Sequence, residues 1–207
     1  MSVYKRILVL ILINFLAEPT FGQVDSAGEK SIGVSVAYFG ETITHYGLKI
    51  GVERSFRQWD RQRSGKQSRS RRHELIGSVN LAAYHHPYNQ YGLLAQAEWG
   101  LRRTKPKGRT FDVGLSAGYL RTMLDGETYQ VRSDGSFERL RLAGQSSLLL
   151  GVFTAWGKDL SRTTNLPLLW RIKPALLLQT PYNTTVLPRL AVEVGVVYKL
   201  NQRKTNF

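Results

Sequence analysis

The 207-residue sequence predicts an all-β fold, an eight-stranded antiparallel up-and-down barrel that follows an N-terminal leader. Three observations predict it. About eight segments alternate apolar and polar residues with a period of two. No apolar run approaches the roughly 20 residues of a membrane helix. Apart from Arg54, the charges of the clear segments fall on the face opposite the oily stripe. Tyr46 to Phe56 show the pattern best: Tyr46, Leu48, Ile50, Val52 and Phe56 alternate with Gly47, Lys49, Gly51, Glu53 and Ser55, and Arg54 interrupts the oily face. Strands greased on one side must close into a ring if they lie in lipid, because an open edge leaves backbone groups without partners. The expected fold is therefore a transmembrane β-barrel. A soluble two-sheet sandwich is the alternative that the same alternation permits.

The leader comes first. Lys5 and Arg6 form a basic segment, residues 7–16 an apolar one too short to span a bilayer, and Gly22 stands before Gln23. This is the pattern of a signal peptide over residues 1–22, leaving 23–207 as one barrel domain exported from the cytoplasm. Cysteine is absent, which excludes a disulfide framework, a Cys-based metal site and a lipid-modified N-terminal cysteine. The net charge of +14 suggests nucleic acid in a cytosolic protein, but an exported chain meets anionic lipid, lipopolysaccharide phosphate or envelope glycan instead.

The strands follow in order. The first covers Ser31 to Phe39, with Ile32, Val34, Val36 and Tyr38 opposite Gly33, Ser35 and Ala37; the Tyr46 segment is the second. Arg57 to Arg72 hold one acid, Trp59 and the basic residues Arg57, Arg61, Arg63, Lys66, Arg69, Arg71 and Arg72; without apolar periodicity this segment is expected to be a loop. Glu74 to Tyr84 form the third strand, and His85 to Asn89 a turn around Pro87. Tyr91 to Arg102 form the fourth, Lys105-Pro106-Lys107-Gly108 a tight turn, and Phe111 to Tyr119 the fifth. Thr122 to Gln145 make a long excursion with an Asp134-Gly135 turn signal, the mark of a hairpin above the barrel. Ser146 to Trp156 form the sixth strand, Trp170 to Gln179 the seventh and Arg189 to Leu200 the eighth. Pro174 lies inside the seventh, where a missing N–H leads us to expect a bulge.

The charges give the sharper test. Lys49, Glu53, Glu98, Arg102, Asp112, Arg171, Lys173, Glu193 and Lys199 all fall on the polar face. A lipid-facing Arg or Lys near the midplane costs about 2–4 kcal/mol, so this segregation predicts a polar lumen in which both signs pair. Tyr38, Tyr46, Tyr91, Trp99, Phe111, Tyr119, Trp156, Trp170 and Tyr198 fall near strand ends or on the oily face, as interfacial girdles require.

The Gly118-Tyr119-Leu120-Arg121-Thr122 strand end, the Tyr182-Asn183 turn and the last strand, Val192-Glu193-Val194-Gly195-Val196-Val197-Tyr198, resemble the small eight-stranded outer-membrane barrels, particularly the outer-membrane β-barrel family of Bacteroidota-type bacteria. The resemblance implies residence in the bacterial outer membrane among its lipids and lipopolysaccharide, and insertion by the barrel assembly machinery. That machinery reads a terminal aromatic in such proteins; here Leu200 is followed by a polar tail that ends in Phe207.

Three groups of residues are candidates for function. Lys49, Glu53, Glu98, Arg102, Asp112, Arg171, Lys173 and Glu193 are expected to plug the lumen as an ion-paired network, since eight strands enclose only enough space for side chains. The basic segment from Arg57 to Arg72 is a candidate for docking an anionic envelope polymer such as peptidoglycan. His45, His73, His85 and His86, with Ser78, Ser116, Ser146 and Ser147, are the residues a lipid-modifying rim would need, but no histidine has serine two positions later, as the lipid A deacylase signature requires. No phosphate loop, paired metal motif or nucleophile elbow occurs, so neither a cofactor nor a catalytic residue is expected. The reading is a non-enzymatic membrane barrel, with a lipid-modifying enzyme, a narrow channel and a secreted sandwich binder as alternatives.

Overall fold

The computed structural model describes residues 31–41, 45–63, 69–140, 143–182 and 185–200. The expected signal peptide, Lys66 and Phe207 lie outside these residues. Eight strands close into one antiparallel ring: β1 (Ile32–Glu41), β2 (His45–Arg63), β3 (Arg69–His86), β4 (Gln90–Thr104), β5 (Arg109–Leu124), β8 (Ser146–Asp159), β9 (Leu168–Tyr182) and β10 (Thr185–Lys199). The remaining two strands, β6 (Thr128–Val131) and β7 (Phe137–Leu140), pair only with each other. Closure comes from β1 pairing with β10, Gly33 opposite Lys199 and Glu41 opposite Ala191. A two-sheet sandwich is thereby ruled out.

The register shows how far the strands lean. Starting at Glu41, successive partners run through Ala191, Ala175, Phe153, Gly114, Gly100, Ile76 and Ser55, whose N–H reaches the carbonyl of Ser31. One circuit therefore returns ten positions lower on β1, from Glu41 to Ser31. Such stagger goes with strands tilted about 40° from the axis. Tyr91 and Trp99 on β4, like Phe111 and Tyr119 on β5, stand eight positions apart and so about 20 Å along the axis, close to the apolar height of a membrane barrel. Tryptophan marks the end that carries Ile32 and Lys199, called basal below, where Tyr198 joins it; Tyr38, Tyr46, Tyr91 and Tyr119 mark the other.

The burial pattern is inside out. Leu81, Leu115 and Leu190 are 59%, 63% and 65% exposed, whereas Lys173 and Asp112 are each 1% exposed. A soluble fold would do the reverse. Only a solvent less polar than the lumen, which is to say lipid, makes this arrangement favourable.

Two expectations need correction. The basic segment is not a loop: β2 continues through Arg63 and β3 begins at Arg69, with Arg57 opposite Leu75, Asp60 opposite Arg72 and Arg61 opposite Arg71. A bulge at Phe56 breaks the register where the pair leaves the barrel. Beyond the membrane a hairpin has water on both faces, so it needs no oily stripe; backbone pairing holds it without one. Pro174 does not create a bulge either. It stands opposite Val192 in unbroken register, and on its other side the ladder pauses after Phe153/Ala175 and resumes at Trp156/Ile172 without a shift. The missing N–H costs rungs rather than an extra residue.

Candidate functional site

Each inward position of the barrel belongs to a layer. At mid-height Lys49 of β2, Glu98 of β4, Lys173 of β9 and Glu193 of β10 form a closed cycle. Lys49 Nζ donates to Glu98 Oε1 at 2.7 Å and to Glu193 Oε1 at 2.8 Å, and Lys173 Nζ reaches Glu98 Oε1 at 2.7 Å and Glu193 Oε2 at 2.8 Å. Gln96 Oε1 accepts a further bond from Lys49 at 2.7 Å, and the Ser78 hydroxyl donates to Glu98 at 3.1 Å. Lys173 Nζ also sits 5.1 Å from the centre of the Phe153 ring.

One layer towards the base a second cycle joins Glu53, Arg102, Asp112 and Arg171. Arg102 is bidentate to Glu53, at 2.6 and 3.1 Å, and holds Asp112 through Nε and an Nη at 3.0 and 2.8 Å. Arg171 reaches Glu53 at 2.6 Å and Asp112 at 3.9 Å. Each cycle holds two cations and two carboxylates, so each is neutral. Isolated charges buried this deeply would cost several kcal/mol apiece; closing the cycles supplies every carboxylate with a donor. All eight expected lumen residues are brought together here. Lys199 pairs instead with Asp159 near the basal mouth.

Above the cycles the lumen is apolar. Phe39, Ala82, Tyr84, Leu94, Leu120, Leu149, Leu177 and Ala191 are buried and form one cluster across the barrel. Gly92 makes the septum possible, because a Cβ there would come within 2.1 Å of the Tyr84 ring. These residues were missed as a group. The signal existed: Leu94 and Leu177 fall on the polar-face phase of their strands. The two voids between the charged layers and the wall hold about 10 Å³ each, room for a single water at most.

The far mouth is polar again. Glu41 binds Arg189, whose Nε donates to Gln179 Oε1 at 2.6 Å, and Gln179 in turn donates to Ser147 at 2.8 Å. His45 and His86 point inward here with ring centres 3.8 Å apart. His85 faces outward, its Nδ1 3.1 Å from the Tyr46 hydroxyl and its Nε2 3.2 Å from Asp125. His73 lies at the opposite end, stacked on Trp59. The histidines therefore divide between two ends and two faces. Ser78 serves Glu98, Ser146 accepts from Tyr119 and Ser147 donates to the Pro181 carbonyl.

Over the far mouth the β6–β7 hairpin stands clear of the barrel. Ion pairs Arg132–Glu138 at 2.7 Å and Arg139–Glu127 at 2.9 Å hold its flanks. At its tip the Ser136 hydroxyl and amide keep the Asp134 carboxyl below the usual carboxylate range. The Glu127 carboxylate, accepting the Tyr129 hydroxyl, raises that phenol. Val131 and Phe137 face each other across the hairpin, 60% and 74% exposed.

At the basal end, the six described basic residues of the 57–72 segment divide. Arg57, Arg71 and Arg72 lie on paired strands, and Arg72 meets Asp60 at 3.6 Å. Arg61, Arg63 and Arg69 are placed by backbone pairing alone, Arg63 opposite Arg69.

No protein-family model matches the sequence, and no curated protein matches it. Among solved structures it is similar to the N-terminal β-barrel domain of Pseudomonas aeruginosa OprF, at 16% identity and a TM-score of 0.41 over 82% of this chain and 96% of that one. It is also similar to Neisserial surface protein A, at 14% identity and a TM-score of 0.46 over 82% of this chain and 94% of that one. The outer membrane enzyme PagL gives 9% identity and a TM-score of 0.42 over 82% of this chain and 99% of that one. The closed ring, its exposed leucines and its buried ion cycles characterise the chain more closely than these overlaps.

Proposed function

We propose that this chain is an integral protein of the bacterial outer membrane, exported by its leader, with a sealed lumen and a non-enzymatic role in envelope structure or surface interaction. One observation carries the reading: the oily face of every barrel strand points out while two neutral ion cycles and an apolar septum fill the inside. A bilayer barrel requires that exterior, and a conducting pore requires a different interior. At the far mouth His85 is engaged with Asp125 and Ser147 with Gln179, which favours a structural use for these two, while the buried His45 Nδ1 has no hydrogen-bond partner among the described residues.

In such a barrel the basal end, which carries both Ile32 and Lys199, faces the periplasm. The β6–β7 hairpin then projects outward with Val131 and Phe137 at its tip, the natural contact for a surface partner. The β2–β3 hairpin reaches into the periplasm with its arginines, where an anionic envelope polymer is the fitting partner. Assembly by the barrel machinery and kinship with the Bacteroidota-type family belong to the same reading and rest on the strand-end motifs alone.

Membrane fractionation and planar-bilayer recording test it together. Recovery in the outer membrane, with a band that shifts on heating in detergent and no stepwise conductance, is the expected outcome. A soluble periplasmic product overturns the membrane reading; discrete channel openings overturn the sealed lumen.

A further inference from the structure

Four cations on the outer wall at the basal end have no counter-charge among the described residues. Lys105, Arg109 and Lys158 stand side by side: Arg109 is directly opposite Lys158 across β5 and β8, and Lys105, in the turn just past β4, gives its N–H to the Arg109 carbonyl. One rung towards the membrane centre the outward residues are Arg103, Phe111 and Trp156, with Arg103 opposite Phe111 and Phe111 opposite Trp156. Trp170 closes the side next to Lys158. Together they line an open groove of about 500 Å³. No carboxylate among the described residues pairs with Arg103, Lys105, Arg109 or Lys158.

Two like charges directly opposite each other repel, and they face away from the lumen acids that could relieve them. The Phe111 and Trp156 rings, 5.8 Å apart, remain 39% and 52% exposed beside them. Gly108 sets the geometry: at φ +81° it turns the chain from Lys105 to Arg109, and a Cβ there would meet the Asp159 carbonyl at 2.4 Å.

We propose that this groove is a binding site for an anionic glycerophospholipid of the leaflet at the basal end. The order of the two rows matches the ligand. The phosphate lies at the water-side row, between Arg109 and Lys158 with Lys105 flanking it and Arg103 approaching from the inner row, and the acyl chains run inward over Phe111, Trp156 and Trp170. A soluble phosphate would satisfy the cations but leave the aromatic row uncovered; a zwitterionic lipid would cover the rings but bring its own ammonium to the cations. The inference rests on the outer-membrane reading above, in which the basal leaflet is the phospholipid one.

The test uses the full-length protein, refolded in detergent and titrated with phosphatidylglycerol or with phosphatidylethanolamine of the same chains, bound lipid being counted by native mass spectrometry. Wild type is expected to retain one phosphatidylglycerol at least tenfold more tightly than phosphatidylethanolamine. The R109Q/K158Q variant should lose that preference, and R132Q/R139Q, on the hairpin at the other end, should keep it. Phosphatidylglycerol should also raise the Tm of wild type and not of R109Q/K158Q. Equal retention of the two lipids by a heat-modifiable wild-type barrel, or an unchanged preference in R109Q/K158Q, overturns the site and leaves the membrane reading intact. A wild-type protein with no heat-modifiable form overturns both.

Discussion

The lumen and the basal rim hold the same residue types in opposite states. Inside, Lys49, Lys173, Arg102 and Arg171 each touch two carboxylates and are nearly out of reach of solvent. On the outer wall Arg103, Lys105, Arg109 and Lys158 touch none among the described residues, and Arg109 and Lys158 oppose each other. Burial explains the first arrangement: a lumen cation without its acid is prohibitively costly, so compensation had to be built into the chain. At the membrane boundary water screens the charge, and compensation can be left to the lipid. The same residue type is thus a structural element at Arg102 and a cation left to the surroundings at Arg103, one residue away.

The largest effect expected from breaking this contrast is in the central cycle. Lys173→Met leaves Glu98 and Glu193 facing Lys49 alone and should cost about 3–5 kcal/mol, read by urea unfolding in lipid vesicles. Adding Glu193→Gln to the same chain should recover part of the loss, since it removes the excess negative charge. In the septum, Leu120→Ala removes a side chain only 1% exposed and should cost about 2–5 kcal/mol. Bilayer recordings of that variant should stay silent, because the ion cycles still close the lumen beneath it. On the rim, R109Q/K158Q should shift stability by no more than about 0.5 kcal/mol in uncharged detergent, and towards greater stability, because repulsion is removed. The smallest effect belongs to the β6–β7 tip. Asp134 has its carboxyl depressed by Ser136, so the order it lends the turn is present above about pH 4 and lost as pH falls through its folded-state value. Amide exchange at Ser136 should rise over that range in wild type and not in Asp134→Asn.

Much of this architecture was legible in the chain, for a simple reason. Parity along a strand decides which side of the wall a residue occupies, so Lys49, Glu53, Glu98 and Arg102 could be placed inside from spacing alone. Parity says nothing about which strands meet across the lumen. The Lys49–Glu193 contact spans 144 positions and the Arg171–Glu53 contact 118, and both follow from barrel closure and stagger rather than from any local signal. The septum was readable in principle, since Leu94 and Leu177 break the polar face of their strands. The β2–β3 hairpin was not, because strands in water lack the oily stripe by which the others announce themselves. At the rim, the alignment of Arg109 with Lys158 depends on the pairing of β5 with β8 across the whole β6–β7 excursion.

Neighbouring residues on one strand test the inside-out wall most directly. Leu115 is 63% exposed and Ser116 5%, and with no cysteine in the chain each can carry a unique thiol as L115C or S116C. In folded protein reconstituted into vesicles, a fluorophore attached to L115C before refolding should be quenched by nitroxide lipids labelled deep in the acyl chains, while the S116C thiol should resist labelling until the barrel is unfolded. An L115C probe untouched by the lipid quencher, with S116C labelled freely in the folded state, would contradict the account.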